Sequence, residues 1–231
     1  MKTIVEGDQD FFCDITAPCF QLLSAEEMEL IRSSKTQIVF RKGDQLAKQG
    51  AFASYVLFLI RGLAIQYIED TGDRNYNLCL IKPGDFVGLA SVFQKNIFSY
   101  TVNAITECQA YLIEKEAITS VAAANSKFAF NLIRRYCSQN ELLYDNLKKV
   151  LFKQMHGRLA ETIGYLNEIK NDFPELFTLL TRKDLADFAA LSVESTVKLL
   201  KSFERDGLIR LKDRDIEVLN PTELAEISRR G

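Results

Sequence analysis

Charged side chains and a valine share one face of a predicted helix near the end of the chain. The outer face carries Glu194, Val197, Lys198, Lys201 and Arg205, and the opposite, largely apolar face carries Thr196, Leu199, Leu200 and Phe203. A carboxylate can accept a hydrogen bond from cytosine, a cation can donate to guanine or to phosphate, and a valine can contact the methyl group of thymine. These residue types therefore predict recognition of DNA base edges. The alternative is an ordinary solvated surface.

The flanking sequence predicts two capped helices and a hairpin that would present this face. Thr181 with Asp184 three residues later predicts the start of one helix, and Ser192 predicts the start of the next. Gly207 stands where the second helix should end, and the run LIRLKDRDIEVL predicts two short strands. Ala190 occupies the turn position that often holds glycine. Helix, helix and hairpin in this order indicate a winged helix-turn-helix.

Composition sets bounds on the class of protein. The chain has 231 residues and a formal net charge of −2, so any affinity for DNA must come from where its charges lie. No apolar run reaches the roughly 20 residues that span a bilayer, and the N-terminus lacks the features of a signal peptide. The five scattered cysteines favour a reducing compartment. We therefore expect a cytoplasmic protein without a membrane partner.

The single histidine limits the enzymatic chemistry that the chain could perform. A cupin-like metal site needs several histidine and carboxylate ligands. A nucleophile–histidine pair would have to use His156, which is far in sequence from any predicted pocket loop. We therefore expect no catalytic residues, no bound metal, no cofactor and no enzymatic activity.

Three regions of different predicted secondary structure follow one another along the chain. Ser24 followed by Glu27 predicts a capped helix, and the region from 36 to 113 consists of short β runs separated by glycine-bearing breaks. Helix formers follow from Lys115, without proline or glycine until Gly157, where we expect a break. The prediction is an α+β fold with three parts. These are an N-terminal antiparallel, jelly-roll-like β-roll sensor domain at 1–115, dimerisation helices at 116–152, and a winged helix-turn-helix DNA-binding domain at 153–231.

The long helical stretch suggests an interface with a second copy of the chain. A heptad pattern predicts a seam of Leu132, Tyr136, Gln139, Leu143, Asn146 and Val150. The polar members of this seam would specify the register at some cost in stability. The alternative is that part of the helix, above all its N-terminal part, packs on its own β domain.

Two separate regions resemble the Crp/Fnr family of transcription regulators. The C-terminal run TRKDLADFAALSVESTVKLLKSFERDGLI is similar to the DNA-binding signature of that family, with Lys198 where a base-reading arginine is usual. The runs FRKGDQLAKQG, VLFLIRGLAIQYI and IKPGDFVGLAS resemble turns of its cyclic-nucleotide-type β-roll. The resemblance implies double-stranded DNA, a homodimer partner and RNA polymerase as interaction partners, together with a small-molecule effector. The residues expected to contact DNA are Thr181, Arg182, Lys183, Ser192, Val193, Glu194, Val197, Lys198 and Lys201.

The predicted effector pocket departs from the family pattern at two positions. Leu89 replaces the glutamate that holds the ribose, and Phe98 replaces the arginine that neutralises the phosphate. Because burial of a phosphate without a cation is costly, we expect an effector other than cyclic AMP, or a pocket filled by side chains. The predicted pocket residues are Phe86, Gly88, Leu89, Ala90, Ser91, Phe98, Ser99 and Tyr100.

The N-terminal cysteines invite comparison with the iron–sulfur site of the Fnr branch. Cys13 and Cys19 have a similar spacing, but Asp10 stands at the third N-terminal position. Such a cluster needs four ligands, and Cys108 lies only near the fourth expected position. We therefore interpret these cysteines as structural. The predicted function is a dimeric, sequence-specific regulator that recognises an inverted repeat, and the alternative is an interaction adaptor that no longer binds specific DNA.

Overall fold

A computed structural model describes residues 2–4, 20–70, 74–93 and 96–231. The chain forms two compact units. One comprises the described residues up to 69 together with 79–142, and the other comprises those of 70–78 together with 143–231. The first is built from antiparallel strands with helices at its ends, and the second is mostly helical with a two-stranded hairpin. The predicted α+β fold class is confirmed.

The antiparallel strands form the β-roll. Their bounds are β1 (Lys2–Ile4), β2 (Lys35–Phe40), β3 (Gln45–Ala47), β4 (Tyr55–Arg61), β5 (Ala64–Glu69), β6 (Asn75–Ile81), β7 (Phe86–Val87), β8 (Thr101–Ala104) and β9 (Cys108–Glu114). One sheet has the order β1-β2-β9-β4-β7 and the other has the order β3-β8-β5-β6. Gly62 joins β4 to β5 with a φ of 93°, and a Cβ there would lie 2.2 Å from the Glu107 carbonyl oxygen. This tight turn therefore requires glycine.

The long helical stretch is two helices. The helices of the first half are α1 (Ala25–Ser33), α2 (Ala90–Phe93), α3 (Lys115–Ala124) and α4 (Ser126–Phe152). Asn125 separates α3 from α4, and its side-chain oxygen accepts a hydrogen bond of 3.0 Å from the Phe128 amide. An asparagine at a helix start satisfies a backbone donor that the helix itself cannot. Asn125 has an extended backbone conformation that ends α3, a break that sequence periodicity alone did not indicate.

The start of α4 belongs to the core of the β-roll. Phe128 and Leu132 are almost fully buried, in the same apolar cluster as Phe20, Phe58 and Phe86. The ring centroids of Phe20 and Phe128 are 5.9 Å apart, and those of Phe20 and Phe58 are 5.4 Å apart in an edge-on arrangement. The N-terminal part of α4 therefore packs on its own β domain.

The second unit contains the predicted helix-turn-helix and hairpin. Its elements are α5 (Met155–Lys170), α6 (Leu176–Leu179), α7 (Arg182–Ala189), α8 (Val193–Arg205), β10 (Ile209–Lys212), β11 (Asp215–Val218) and α9 (Pro221–Arg230). The break expected at Gly157 is wrong, because α4 ends at Phe152 and Gly157 lies inside α5. Gly157 instead allows a close approach, since a Cβ there would lie 2.5 Å from the Gly231 carbonyl carbon. Helix α9 begins with Asn220 as its cap and Pro221 in its first turn, a recognisable start signal.

Candidate DNA-binding surface and effector pocket

Helix α7 begins with the predicted capping box. The Asp184 amide donates to the Thr181 hydroxyl at 3.1 Å, and the Thr181 amide donates to the Asp184 carboxylate at 2.7 Å. This reciprocal pair satisfies two backbone donors at the helix start. Leu185, Ala186 and Ala189 are buried on one face of the helix. Helix α7 is therefore held firmly at its start and along one face.

The turn between α7 and α8 uses an unusual backbone conformation. Ala190 has φ 52° and ψ 48°, the left-handed helical region. The amides of Ala190 and Leu191 both donate to the Ala186 carbonyl oxygen, which closes the end of the helix. A Cβ makes this conformation costly for an L-residue. The alanine therefore adopts the geometry that glycine would adopt more easily.

Helix α8 separates an inner from an outer face as the sequence predicts. Ser192 caps it, because its hydroxyl accepts a 3.0 Å hydrogen bond from the Ser195 amide. The inner residues Thr196, Leu199, Leu200 and Phe203 are all buried. On the outer face, the side chains of Glu194 and Lys198 are 77% and 74% exposed, and they form an ion pair of 2.7 Å. The outer face is therefore polar, accessible and fixed in orientation by the buried inner face.

The remaining predicted contact residues surround this outer face to different degrees. Thr181, Lys183, Ser192 and Lys201 are exposed, Val193 is 44% exposed, and Arg182 and Val197 are half-buried. The Arg182 guanidinium donates to the Asp213 carbonyl oxygen at 3.1 Å, in the turn of the β10–β11 hairpin. Partial burial lowers the pKa of Arg182 from its usual value. Arg182 therefore connects the first helix of the motif to the hairpin, a role that the sequence did not reveal.

Side chains of the β-roll pack around Gly88 in the predicted effector pocket. The Phe98 ring lies against Gly88, where a Cβ would be only 2.6 Å from a ring carbon. The Gly88 amide donates to the Tyr100 hydroxyl oxygen at 2.9 Å, and the Ser91 hydroxyl donates to the Gly88 carbonyl oxygen at 2.6 Å. Burial raises the pKa of Tyr100 to about 12. The backbone donor at Gly88 is therefore already bonded within the protein.

The other predicted pocket residues vary in exposure. Phe86 and Leu89 are buried in the aromatic core cluster, with 2% and 1% of their surface exposed. Ala90 is half-buried and Ser99 is exposed. Phe86 lies 5.0 Å from Phe58 between ring centroids. The wall that would face an effector is therefore apolar and closely packed at these positions.

The predicted seam residues on α4 do not share one exposed face. Leu132 and Asn146 are buried, Gln139 is half-buried, and Tyr136, Leu143 and Val150 are between 37% and 44% exposed. Asn146 donates to the Leu78 carbonyl oxygen at 3.0 Å and accepts from the Tyr76 hydroxyl at 3.1 Å. Its polar groups are therefore satisfied within the chain.

A second, more exposed stripe runs along α4 with alternating steps of three and four residues. It consists of Phe130, Ile133, Cys137, Asn140, Tyr144, Leu147 and Leu151, of which all but the half-buried Asn140 are exposed. This spacing is the a/d repeat of a two-stranded coiled coil. The same repeat is present in the sequence, but burial was needed to distinguish it from the stripe that packs inward. We name these seven residues the α4 stripe.

Of the cysteines that the structure describes, Cys79 and Cys108 are buried and Cys137 is exposed. Burial raises the pKa of Cys79 to about 12 and that of Cys108 to about 11, so neither supplies a thiolate readily. No group of three or more potential metal ligands occurs within the described residues. Asp10, Cys13 and Cys19 lie outside those residues. No helix in the described part of the chain is both long and apolar enough to cross a membrane.

Comparisons with known proteins agree with this geometry. Residues 37–125 match the model of the cyclic nucleotide-binding domain, and residues 157–227 match that of the Crp-like helix-turn-helix domain. The CRP-like cAMP-activated global transcriptional regulator of Mycobacterium tuberculosis is 21% identical over 217 residues, covering 92% of this chain and 97% of the relative. The anaerobic regulatory protein of Aggregatibacter actinomycetemcomitans is 25% identical over 204 residues, covering 84% and 74%.

A solved structure shares the fold. FixK2 from Bradyrhizobium japonicum has a TM-score of 0.72 at 18% identity, with 84% of this chain and 96% of that chain covered. The two matched domains, a cyclic nucleotide-binding domain followed by a Crp-like helix-turn-helix domain, are those of a DNA-binding transcription regulator. The chain belongs to the Crp/Fnr family of transcription regulators.

Proposed function

We propose that the protein is a dimeric regulator that recognises an inverted-repeat operator through the outer face of α8. The observation that carries this proposal is the division of α8 into a buried face and an exposed face that bears Glu194, Lys198 and Lys201. The buried face fixes the orientation of the helix, so its outer side chains can enter the major groove as a unit.

The outer residues have two kinds of role. Glu194 and Lys198 lie near the N-terminal end of α8, which enters the groove first in this motif, and they read base edges. Lys201 and Lys183 are exposed cations that contact phosphate. Arg182 also contacts phosphate, from a position already fixed by its hydrogen bond to the hairpin turn.

A second copy of the chain pairs along the α4 stripe. Exposed apolar residues at heptad spacing, such as Ile133 and Leu147, which are 58% and 54% exposed, are costly in water and typical of a coiled-coil seam. The flanking residues Tyr136, Leu143 and Val150 border this seam. A two-fold dimer presents two α8 helices, so the operator is an inverted repeat with half-sites about 10 base pairs apart.

The β-roll responds to an effector other than cyclic AMP, or to none. The Mycobacterium tuberculosis relative is named as activated by cyclic AMP, but in this chain Phe98 and Tyr100 enclose Gly88, and the Gly88 amide is already bonded to Tyr100. Phe98 stands where the family has an arginine, so an anionic phosphate there would lose the cation that usually neutralises it. The remaining partner is RNA polymerase, and the site of action is the cytoplasm.

Selection of binding sites from random double-stranded DNA tests this function. The full-length protein should enrich a sequence with two-fold symmetry, at a salt concentration where non-specific binding is weak. Retention of DNA without enrichment would mean that α8 does not read sequence. Failure to retain DNA at all would favour an interaction adaptor with a solvated outer face.

A further inference from the structure

A cavity of about 620 Å³ opens in the β-roll unit, next to the predicted effector pocket. Its walls come from the start of β4, from α2 and from the first turns of α3. None of the eight residues predicted for the effector pocket lines it. Its volume is in the range of sites that bind small molecules.

The wall of the cavity contains a buried cation. Lys115 is only 8% exposed, and its ammonium donates to the Asn96 side-chain oxygen at 2.8 Å and to the Ser91 carbonyl oxygen at 3.4 Å. Both acceptors are neutral, and the described residues include no ion pair to this lysine. The ammonium also lies 5.7 Å from the centroid of the Phe52 ring. Because a buried charge is costly without an opposite charge, a ligand carboxylate at this position would be stabilised.

The cavity has the opposite charge at its exposed edge. Glu114 and Glu116 flank Lys115 in sequence, both line the cavity, and both are exposed. Two carboxylates disfavour a ligand with several negative charges, such as a phosphate ester, and they favour a ligand with a cationic group next to its anionic one.

Apolar surface completes the cavity. The side chain of Phe52 is 68% exposed and that of Tyr55 is 43% exposed, and both line the cavity beside Val92. Exposed aromatic side chains beside a concave surface are typical of a binding site. The cavity therefore offers a buried cation, two exposed carboxylates and an aromatic wall.

We propose that this cavity binds a small zwitterion of the α-amino-acid class with an apolar side chain. The ligand carboxylate accepts a hydrogen bond from Lys115, its ammonium lies toward Glu114 or Glu116, and its side chain packs on Phe52. This site is separate from the helix-turn-helix, so its test does not depend on DNA binding.

Titration of the full-length protein with L-phenylalanine, followed by calorimetry, tests the proposal. Saturable binding at low-millimolar concentration or tighter is expected. 3-Phenylpropionate lacks the ammonium and phenethylamine lacks the carboxylate. The dissociation constant of each should be at least about ten-fold higher than that of L-phenylalanine. No saturable binding of L-phenylalanine, or equal binding of all three compounds, would overturn the proposal.

Substitutions of cavity residues test whether the ligand binds in this cavity. Lys115→Gln should weaken L-phenylalanine binding about ten-fold or more, whereas Lys127→Gln, which changes an exposed lysine on α4, should not. Phe52→Ala should also weaken binding, and its exposed position makes loss of folding a poor explanation, which a thermal melt checks. If both cavity variants bind like the wild type, the ligand does not occupy this cavity and the proposal is wrong.

Discussion

The Lys198 ammonium lies 2.7 Å from the Glu194 carboxylate, one turn apart on the outer face of α8. Both side chains are about three-quarters exposed, and such a pair stabilises a helix by only about 0.3–0.5 kcal/mol. Breaking this ion pair therefore costs little free energy, so it would not oppose the base contacts proposed for Glu194 and Lys198.

The left-handed turn at Ala190 predicts a stabilising substitution. Ala190→Gly should raise the free energy of unfolding by about 0.5–1 kcal/mol, because glycine adopts a φ of 52° without the Cβ penalty. Ala189→Gly is the matched control, since the neighbouring alanine is buried in helical geometry and its replacement should destabilise by about 1 kcal/mol. Urea denaturation measures both. A destabilised Ala190→Gly variant would mean that the methyl group makes a packing contact that outweighs the strain.

The α4 stripe predicts the interface of the dimer. Leu147→Glu should raise the dimer dissociation constant by at least about 100-fold, because the new carboxylate would be buried in the seam without a partner. Light scattering at micromolar protein should then detect monomers.

Ser138→Glu is the control for that experiment. Ser138 is exposed on α4 but lies one residue beyond Cys137, outside the α4 stripe. The Ser138→Glu variant should remain dimeric. If Leu147→Glu also remains dimeric, the two copies do not pair along this stripe.

A buried lysine near the end of α4 predicts a pH-dependent effect on stability. Lys149 is 6% exposed, and burial lowers its pKa from 10.5 to about 8. Among the nearby charges, Glu161 opposes this lowering of the pKa, whereas Lys153 and Arg158 add to it. The folded state thus binds fewer protons than the unfolded state between pH 8 and 10.5, so stability should rise with pH across that window.

The corresponding substitution removes this effect. Lys149→Met should stabilise the protein at pH 7 by roughly 2 kcal/mol, and the difference from the wild type should shrink as the pH rises past 8. Lys148→Met, at the exposed neighbouring position, should change stability little at any pH. A Lys149→Met variant that is less stable than the wild type at pH 7 would mean that the ammonium stabilises the folded chain, for example through the Tyr76 ring.

The apolar residues at the predicted effector pocket predict that cyclic AMP does not bind. Calorimetry with the full-length protein should give no saturable heat at physiological nucleotide concentrations, because Phe98 stands where the family has the arginine that pairs with the phosphate. The same titration of a relative that is activated by cyclic AMP is the positive control. Tight, saturable heat with this protein would show that Phe98 and Tyr100 move aside and that another cation takes the phosphate.

The helix-turn-helix was predictable because its signals are local. Caps at Thr181 and Ser192, the apolar face of α8 and the stop at Gly207 are each set by residues within one or two turns. The seam proposed on α4 was not predictable in the same way. The helix carries two apolar stripes, one that includes Leu132 and one that includes Leu147, and sequence periodicity does not state which stripe the β-roll covers. Packing of Phe128 and Leu132 in the aromatic core decides between them.

The predicted effector pocket could be predicted from the sequence only in part. The substitutions at Leu89 and Phe98 were visible in the sequence, and they predicted the loss of charge from the pocket. The contact of the Phe98 ring with Gly88 and the bond from the Gly88 amide to Tyr100 join residues 10 and 12 positions apart, and only the folded chain reveals them. The buried state of Lys115 likewise depends on Asn96 and Ser91, to which no local pattern connects it.

Base reading by α8 is tested most directly by parallel selection on random DNA with the wild type, Glu194→Ala, Lys201→Ala and the control Glu175→Ala. Glu194→Ala should accept more than one base at one position in each half-site. Its binding to the motif selected by the wild type should weaken by about 1–3 kcal/mol. Lys201→Ala should select the same motif and bind all sequences more weakly to the same degree. The slope of the logarithm of the binding constant against the logarithm of the salt concentration should fall in magnitude by about one unit per site. Glu175→Ala should match the wild type. An unchanged motif for Glu194→Ala would contradict base reading by this carboxylate.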